Sequence, residues 1–333
     1  LNFENRKILV TGGTGSFGSN FIIKFLKKTK NSTLIVYSRD EYKQYMLKNQ
    51  ILAMSGNLES RIRFFIGDVR DFKRLKRAFR DVDYVVHAAA LKHVPLMEYN
   101  PIEAIKTNIQ GAENIINAAL DCNVKKVIAL STDKAVNPVN LYGATKLVSD
   151  KLFIAANAYS GLEGTKFSVV RYGNVAMSRG SVIPRFRELI NSGITQLPLT
   201  DKRMTRFWID LEQCGQMVLT ALLESRGGEI FVPRLPSFRL IDLIKAFGPG
   251  LEYRETGIRP GEKLHEIMIT REDSRFTWDY NDYFIIYPHF EWWDWERLFK
   301  KGGKKVKKDF LYSSDKNKDF LDAASLEKKL FLL

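Results

Sequence analysis

Short apolar runs and amphipathic stretches alternate along the first half of the chain. Lys7–Val10, Leu34–Tyr37, Arg63–Ile66, Tyr84–His87, Lys126–Leu130 and Phe167–Arg171 read as strands, most of them too continuously apolar to have a solvated face. Between them, Asn20–Leu26, Asn108–Leu120 and Leu141–Tyr159 carry the three- and four-residue recurrence of helices that bury one face. This alternation predicts an α/β chain, a Rossmann-like doubly wound parallel sheet. After Asn174 the rhythm breaks, and Pro184, Pro198, Pro233, Pro236, Pro249 and Pro260 separate shorter elements. The helix Leu211–Leu223 and the strand Glu229–Val232 are expected to rejoin the sheet. The predicted division is therefore 1–174 with 206–232 in a dinucleotide-binding domain, and 175–205 with 233–333 in a smaller α/β C-terminal substrate domain.

Composition narrows the class. With 333 residues, 45% of them hydrophobic, the chain can bury a sizeable core. No apolar run approaches the roughly 20 residues that span a bilayer, and no secretory signal pattern is present, so a cytoplasmic protein without membrane insertion is expected. Cys122 and Cys214 are too few for a disulfide framework, and four histidines without a ligand-like cluster predict no metal site. A net charge of +14 admits nucleic acid or an anionic surface as partner, but no nucleic-acid motif accompanies it. A solvated basic surface around a polyanionic small molecule fits better. Lys300–Lys308 reads as an exposed basic loop. The cluster Phe290, Trp292, Trp293, Trp295 and Phe299 reads as packing for the tail or an oligomer contact, with base stacking the lesser alternative.

Between the first strand and helix lies Gly12-Gly13-Thr14-Gly15-Ser16-Phe17-Gly18, a dinucleotide fingerprint in its required place. Its glycines allow a tight turn and close approach of the backbone to a pyrophosphate at a helix N-terminus. The second strand ends Tyr37-Ser38-Arg39-Asp40, with Lys43 one turn on. Ser38 stands where an acid would meet the ribose of NAD, and Arg39 and Lys43 suit a 2′-phosphate, so NADP is favoured over NAD although Asp40 argues the other way. Asp68 and Val69 suit the adenine, and Ala88, Ala89 and Ala90 leave room for the cofactor on the floor of the site.

Tyr142 and Lys146 stand one helical turn apart, where an ammonium can lower the pKa of a phenol and make it a base. Upstream, Asp133-Lys134 offers a second acid and base. A chain that oxidises an alcohol and also moves a second proton can do more than dehydrogenate.

These residues resemble the extended short-chain dehydrogenase/reductases that act on nucleotide sugars. The likeness is nearest to the inverting UDP-N-acetylglucosamine 4,6-dehydratases, the first enzymes of pseudaminic acid synthesis, whose products serve glycans such as those of flagellin. The words that carry it are Val36–Glu41, Gly67–Asp71, Ala88–Pro95, Ser131–Lys134, Leu141–Lys146, Arg171–Asn174, Arg203–Trp208 and Ile258–Glu266. Met177-Ser178-Arg179-Gly180 departs from the family's Gly-Ser-Arg-Gly; if that position needs positive φ or lies against the sugar, Met177 adds strain or fills the pocket.

The resemblance implies an internal NADP redox cycle. Tyr142, supported by Lys146 and Thr132, takes the proton from the hydroxyl on sugar carbon 4. Lys134 removes the carbon 5 proton, its pKa depressed by burial and by Lys146, and Asp133, protonated, helps the carbon 6 hydroxyl leave; the two may exchange these roles. Ser131 is placed with the cofactor. Arg206 and Arg259 are implied as clamps on the UDP diphosphate, with Glu262 holding a ribose or a clamp arginine. Asn174, Ser178, Arg179 and Val182 lie along the nucleotide, Pro198 beside the base, and Lys92 toward the sugar. His87 and His93 are expected to be packing groups, and Tyr312-Ser313-Ser314 to close over the substrate. The family also implies a homo-oligomer, a dimer or hexamer.

A UDP-sugar 4-epimerase or a retaining 4,6-dehydratase would share the cofactor site but not Asp133-Lys134. A non-catalytic nucleotide-sugar sensor would have no use for Tyr142 and Lys146. Nucleic-acid binding is the remotest reading.

Overall fold

The computed structural model describes residues 3–54 and 58–332. Six parallel strands, β1 (Lys7–Thr11), β2 (Thr33–Ser38), β3 (Ile62–Ile66), β4 (Tyr84–His87), β5 (Lys126–Thr132) and β6 (Lys166–Tyr172), lie in the spatial order β3-β2-β1-β4-β5-β6. Their apolar continuity has the predicted cause. Helices cover both faces, so Ile8, Leu9 and Val10, and likewise Val127 and Ile128, have no measurable exposure. The order reverses between β1 and β4, and the carboxyl ends of that pair open the crevice where doubly wound sheets bind ligands. β1 runs into the glycine loop and β4 into Ala88–Ala90, so both cofactor motifs meet there.

Ile230–Pro233 rejoins this sheet beside β6, and the helix Leu211–Glu224 returns with it. The domain boundary nevertheless differs from expectation. Tyr283–Ile286, Thr277–Asp279 and Lys304–Lys305 add three antiparallel strands beyond Ile230–Pro233, making a ten-stranded sheet. The expected substrate domain thus gives back much of 277–312 to the main body. The physical reason is the aromatic cluster. Trp293 is buried and donates to the Gly227 carbonyl at 2.7 Å; Trp295 packs edge to face on it, Tyr287 is tilted against both, and Trp278 packs edge to face on Tyr287 and Phe299. The lysine run is accordingly not all loop. Lys304 and Lys305 pair with Asp279 and Trp278 as a charged edge strand, which discourages further pairing, and Lys300 bonds Glu224 and Tyr283.

A second, smaller core joins Phe186, Leu197, Leu199, Trp208, Phe238 and Leu243 with the C-terminal helix Ala323–Phe331. Around it Thr205–Phe207 pairs with Ser237–Arg239, and Gln196–Leu199 with Glu252–Glu255. Ile267–Ile269 pairs with Tyr312–Ser313, which ties the tail to the end of the site. Among the described residues no helix is long and apolar enough to cross a membrane.

Candidate active site

The glycine loop is built for close approach. Gly12 has φ +64°, and a Cβ there would stand 2.9 Å from the Ala88 carbonyl; at Gly18 it would stand 2.5 Å from the Gly12 oxygen. The helix Ser16–Lys28 therefore begins directly over the floor made by Ala88 and Ala89. Its N-cap, Gly15, offers no side-chain acceptor, so the first-turn amides face the crevice uncapped. An uncapped helix start, small floor residues and a glycine turn suit the pyrophosphate of a nicotinamide dinucleotide. Thr14 is buried, and Phe17 stacks on Phe21 at 5.5 Å, which leaves the ring in the core rather than on a ligand.

The far end of this groove carries mixed charge. Asp40 caps the helix Glu41–Leu52 by accepting from the Lys43 amide at 2.9 Å, and the Lys43 ammonium folds back onto it at 2.5 Å. Those bonds hold its carboxyl below the usual aspartate range. Ser38 is buried and accepts from Gln44 at 3.0 Å. Asp68 is engaged: its carboxylate is gripped by Arg70 at 2.7 Å and lies 3.6 Å from Arg39, so it orders two arginines beside the end of β3. Val69 is buried against Gly111.

Arg179 also moves from its expected place. Its amide donates to the Ser16 hydroxyl at 3.1 Å and its guanidinium to the Thr14 carbonyl at 3.4 Å. It therefore lies on the cofactor loop and not along the substrate nucleotide. The segment that carries it is strained as the departing motif suggested. Met177 has φ +60°. Its sulfur accepts from Arg187 at 3.5 Å and its side chain packs on the smaller core, so it carries strain while contributing to that core. Gly180, at φ +74°, clears His93, whose ring carbon lies 2.4 Å from where a Cβ would be.

The reacting groups converge where β5 ends. Thr132 closes the strand and caps the turn Asp133–Ala135, and its hydroxyl donates to Asp133 at 3.0 Å. The helix Leu141–Ser160 starts just beyond, capped by Asn140, and presses on this turn at Gly143. That contact brings Tyr142 beside Thr132 and Lys134. Burial pushes the Tyr142 phenol up to about 12, against the pull of Lys134 and a hydrogen bond with Thr132. Lys134 is thus a cation that favours the phenolate, beside the Lys146 that the spacing suggested. Lys146 is buried and driven below an ordinary lysine, with Asp150 opposing. Asp150 takes the Ser131 hydroxyl at 2.6 Å and lies 3.8 Å from Arg171. Ser131 is therefore engaged behind the site. His87 is buried against Thr11 and kept neutral, its pKa pushed down to about 3 by burial and Lys146.

Lys134 lies between two carboxylates, 3.1 Å from Asp133 and 3.3 Å from Glu266, and donates to Asn174 at 3.3 Å. Burial alone would lower its pKa, as expected from sequence, but the two carboxylates outweigh it and hold the ammonium charged. Asp133 is fully buried, and burial lifts its carboxyl above the usual range. Gly173 makes its slot, since a Cβ there would stand 3.1 Å from Asp133 Oδ2. Lys92 is exposed on the segment after β4, and partial burial, Lys134 and Arg179 push its ammonium down.

Arg206 is not a free clamp. It is 9% exposed, and its terminal nitrogens donate to the Thr205, Lys263 and Leu264 carbonyls at 2.7–3.1 Å. Arg259 is exposed and bonded to Glu262. Val182 begins the helix Val182–Asn191, Ser178 sits in the turn before it, and Pro198 lies in the strand Gln196–Leu199. Tyr312–Ser314 do not form a lid: all three are buried, and Ser314 bonds Thr205 and Glu266. Sequence reasoning missed Glu266, Asp150 and Lys263. Glu266 stood within a recognised word but had no spacing that linked it to Lys134.

A model of the family described as "Polysaccharide biosynthesis protein" matches residues 8–288. A Campylobacter jejuni subsp. jejuni protein named UDP-N-acetylglucosamine 4,6-dehydratase (inverting) is 52% identical over 320 residues, 95% of this chain and 94% of that protein. Pen from Bacillus thuringiensis, known from an X-ray structure, superposes with a TM-score of 0.90 at 34% identity, covering 100% of this chain and 99% of that one. DesIV, the dTDP-glucose 4,6-dehydratase of Streptomyces venezuelae solved with NAD and TYD, superposes with a TM-score of 0.68 at 26% identity, covering 78% of this chain and 86% of that one. The fold, the glycine loop and the Tyr142/Lys146 helix agree with these likenesses, and the chain belongs to the polysaccharide biosynthesis protein family, built on the short-chain dehydrogenase/reductase fold.

Proposed function

We propose that this chain is an inverting UDP-N-acetylglucosamine 4,6-dehydratase, a hydro-lyase giving UDP-2-acetamido-2,6-dideoxy-β-L-arabino-hex-4-ulose. The observation that carries this reading is the Asp133-Lys134 pair, buried at the end of β5 within reach of Tyr142 and Thr132. A 4-epimerase needs only the second half of that constellation.

A bound nicotinamide dinucleotide supplies a hydride acceptor at the start of the cycle and the same hydride at its end. The chain's own groups handle protons. Tyr142 Oη takes the proton of the carbon 4 hydroxyl, helped by Thr132 and the charge of Lys134. The ketone then acidifies carbon 5, where Lys134 Nζ acts. Asp133, whose carboxyl is raised by burial, is assigned as the acid that gives a proton to the departing carbon 6 hydroxyl. Return of a proton to the opposite face of carbon 5 gives the L configuration. Lys146 is assigned to the cofactor ribose, and Arg259, Glu262, Lys92 and Asn174 to the nucleotide sugar.

NADP is the proposed cofactor. Arg39 and Lys43 at the end of β2 support this reading, and the charge of Asp40 is offset by its pairing with Lys43 and by Arg179. Calorimetry reads this directly: NADP should bind more tightly than NAD, and equal affinity removes the assignment. A homo-oligomer is part of the proposal and is read by light scattering. The reaction itself is tested with Lys134→Ala, which should still reduce bound cofactor when UDP-N-acetylglucosamine is added but release no dehydrated sugar. Full turnover by that variant would take Lys134 out of the mechanism.

A further inference from the structure

Glu266 is a buried carboxylate to which the steps above give no work. It is 2% exposed. Its Oε1 stands 3.3 Å from Lys134 Nζ and 3.8 Å from Arg206 Nε. Its Oε2 is buried without a hydrogen-bond partner among the described residues. Three distant segments fix its position. The Glu266 amide donates to Ser314 Oγ at 2.9 Å, the Ser314 amide donates back to the Glu266 carbonyl at 2.8 Å, and Thr205 holds the Ser314 hydroxyl at 2.6 Å. A carboxylate desolvated and aimed in this way is costly unless its charge is used.

Lys134 supplies the need. An amine takes a proton from carbon only when neutral, and an ordinary lysine loses its proton near a pKa of about 10.4. Two adjacent carboxylates make loss to solvent harder still. A carboxylate in contact with the ammonium offers another route. We infer that Glu266 accepts the Lys134 proton and so converts Lys134 into the base: the Nζ–H bond breaks, an Oε1–H bond forms, and an ammonium–carboxylate pair becomes an amine–carboxylic acid pair with no change in net charge. The inference rests on Lys134 being the carbon 5 base. Exclusion of water by the bound sugar favours the neutral pair, because separated charges are least stable in a dry cavity.

The surrounding charges set the cost of this transfer. Lys134, Arg206 and Lys263 face Glu266, and although burial would raise its carboxyl they hold it below the usual glutamate range, which opposes proton uptake until exclusion of water by the sugar favours the neutral pair. Asp133 faces Lys134 from the other side, its carboxyl raised by burial. Tyr142 and Lys92 also feel Lys134. Arg206 is pinned by carbonyls. Glu266 touches no reacting atom of the sugar and is a positioning residue that acts through Lys134.

The test follows dehydration of UDP-N-acetylglucosamine by the NADP-loaded enzyme in deuterated buffer between about pH 6 and about pH 9. Glu266→Gln preserves shape and removes the acceptor. It should still reduce bound cofactor on mixing, yet dehydrate about a hundredfold more slowly at neutral pH. Taken relative to cofactor reduction in the same enzyme, its dehydration should then climb about tenfold per pH unit, because the ammonium must now lose its proton to solvent, while in the wild type that ratio stays nearly flat. Glu266→Asp should be slower than wild type but keep the flat profile. Were Glu266 only a counter-ion, Glu266→Gln would free the amine and dehydrate faster at neutral pH; that result, or an unchanged rate, overturns the inference. If Glu266→Gln no longer reduces cofactor, Glu266→Asp decides, a climbing profile overturning the inference and a flat one supporting it. Dehydration by Lys134→Ala would instead overturn the reading of Lys134 on which the inference rests.

Discussion

A Cβ placed on Gly143 would stand 2.1 Å from the carbonyl oxygen of Lys134. The helix that bears Tyr142 and the turn that bears Lys134 are in direct backbone contact, and this contact sets the distance between the two side chains. A glycine inside a helix ordinarily costs about 1 kcal/mol relative to alanine. Here the sign should reverse. Gly143→Ala is expected to lower stability by about 1–3 kcal/mol, as overpacking does, and to cut turnover about a hundredfold through misplacement of Tyr142. Denaturant unfolding and steady-state rates read both; an ordinary stabilising Gly→Ala result would contradict the contact.

Tyr142 gives the first step its pH dependence. Its phenol, pushed up to about 12 by burial, works as a base only when ionised, so the rate of cofactor reduction in a single turnover should rise with pH through the neutral range. Lys134 lowers that pKa. Lys134→Met removes the cation, pushes the phenol further up, and should slow reduction at any fixed pH below the pKa. A rate profile that does not move would return the supporting role to Lys146.

Met177 holds a left-handed backbone, φ +60°, that costs a side-chain-bearing residue about 1–2 kcal/mol. Met177→Gly should raise the unfolding free energy by about 1 kcal/mol. Because the methionine packs on the smaller core beside Arg187, the affinity for UDP-N-acetylglucosamine should stay unchanged, as read by calorimetry. A changed preference among UDP-sugars would place the side chain in the pocket after all.

Arg179 reaches the glycine loop from the segment that leads into the smaller core. Loss of one charge-assisted contact is worth about 1.5 kcal/mol, so Arg179→Ala should weaken NADP binding about tenfold and leave UDP binding nearly intact. The reverse pattern would restore Arg179 to the substrate side.

The legible parts of this chain were those that local pattern encodes. β1 to β6, the glycine loop and the Leu141–Ser160 helix follow from runs and spacings a few residues long. Thr277–Asp279, Tyr283–Ile286 and Lys304–Lys305 were not legible as sheet strands, because each is only two to four residues long and is held by aromatic rings from elsewhere. The site divided in the same way. Asp133, Lys134, Tyr142 and Lys146 share one short stretch of sequence. Glu266 meets Lys134 only after Ile267–Ile269 pairs with the tail, and Arg206 is turned into the wall by carbonyls that no sequence motif announces. Charge balance was misread in part for the same reason: Asp133 and Glu266 together outweigh burial at Lys134, and the pull of Glu266 is a tertiary contact.

The central claim is that Asp133 and Lys134 carry out a dehydration with inversion at carbon 5. Incubation of the NADP-loaded protein with UDP-N-acetylglucosamine in deuterated water, followed by proton NMR, tests it most directly. The account predicts a new methyl signal from carbon 6, deuterium at carbon 5 and couplings of the L-configured ring. A methyl signal with the starting D configuration at carbon 5, or a carbon 4 epimer with no methyl signal, would contradict it.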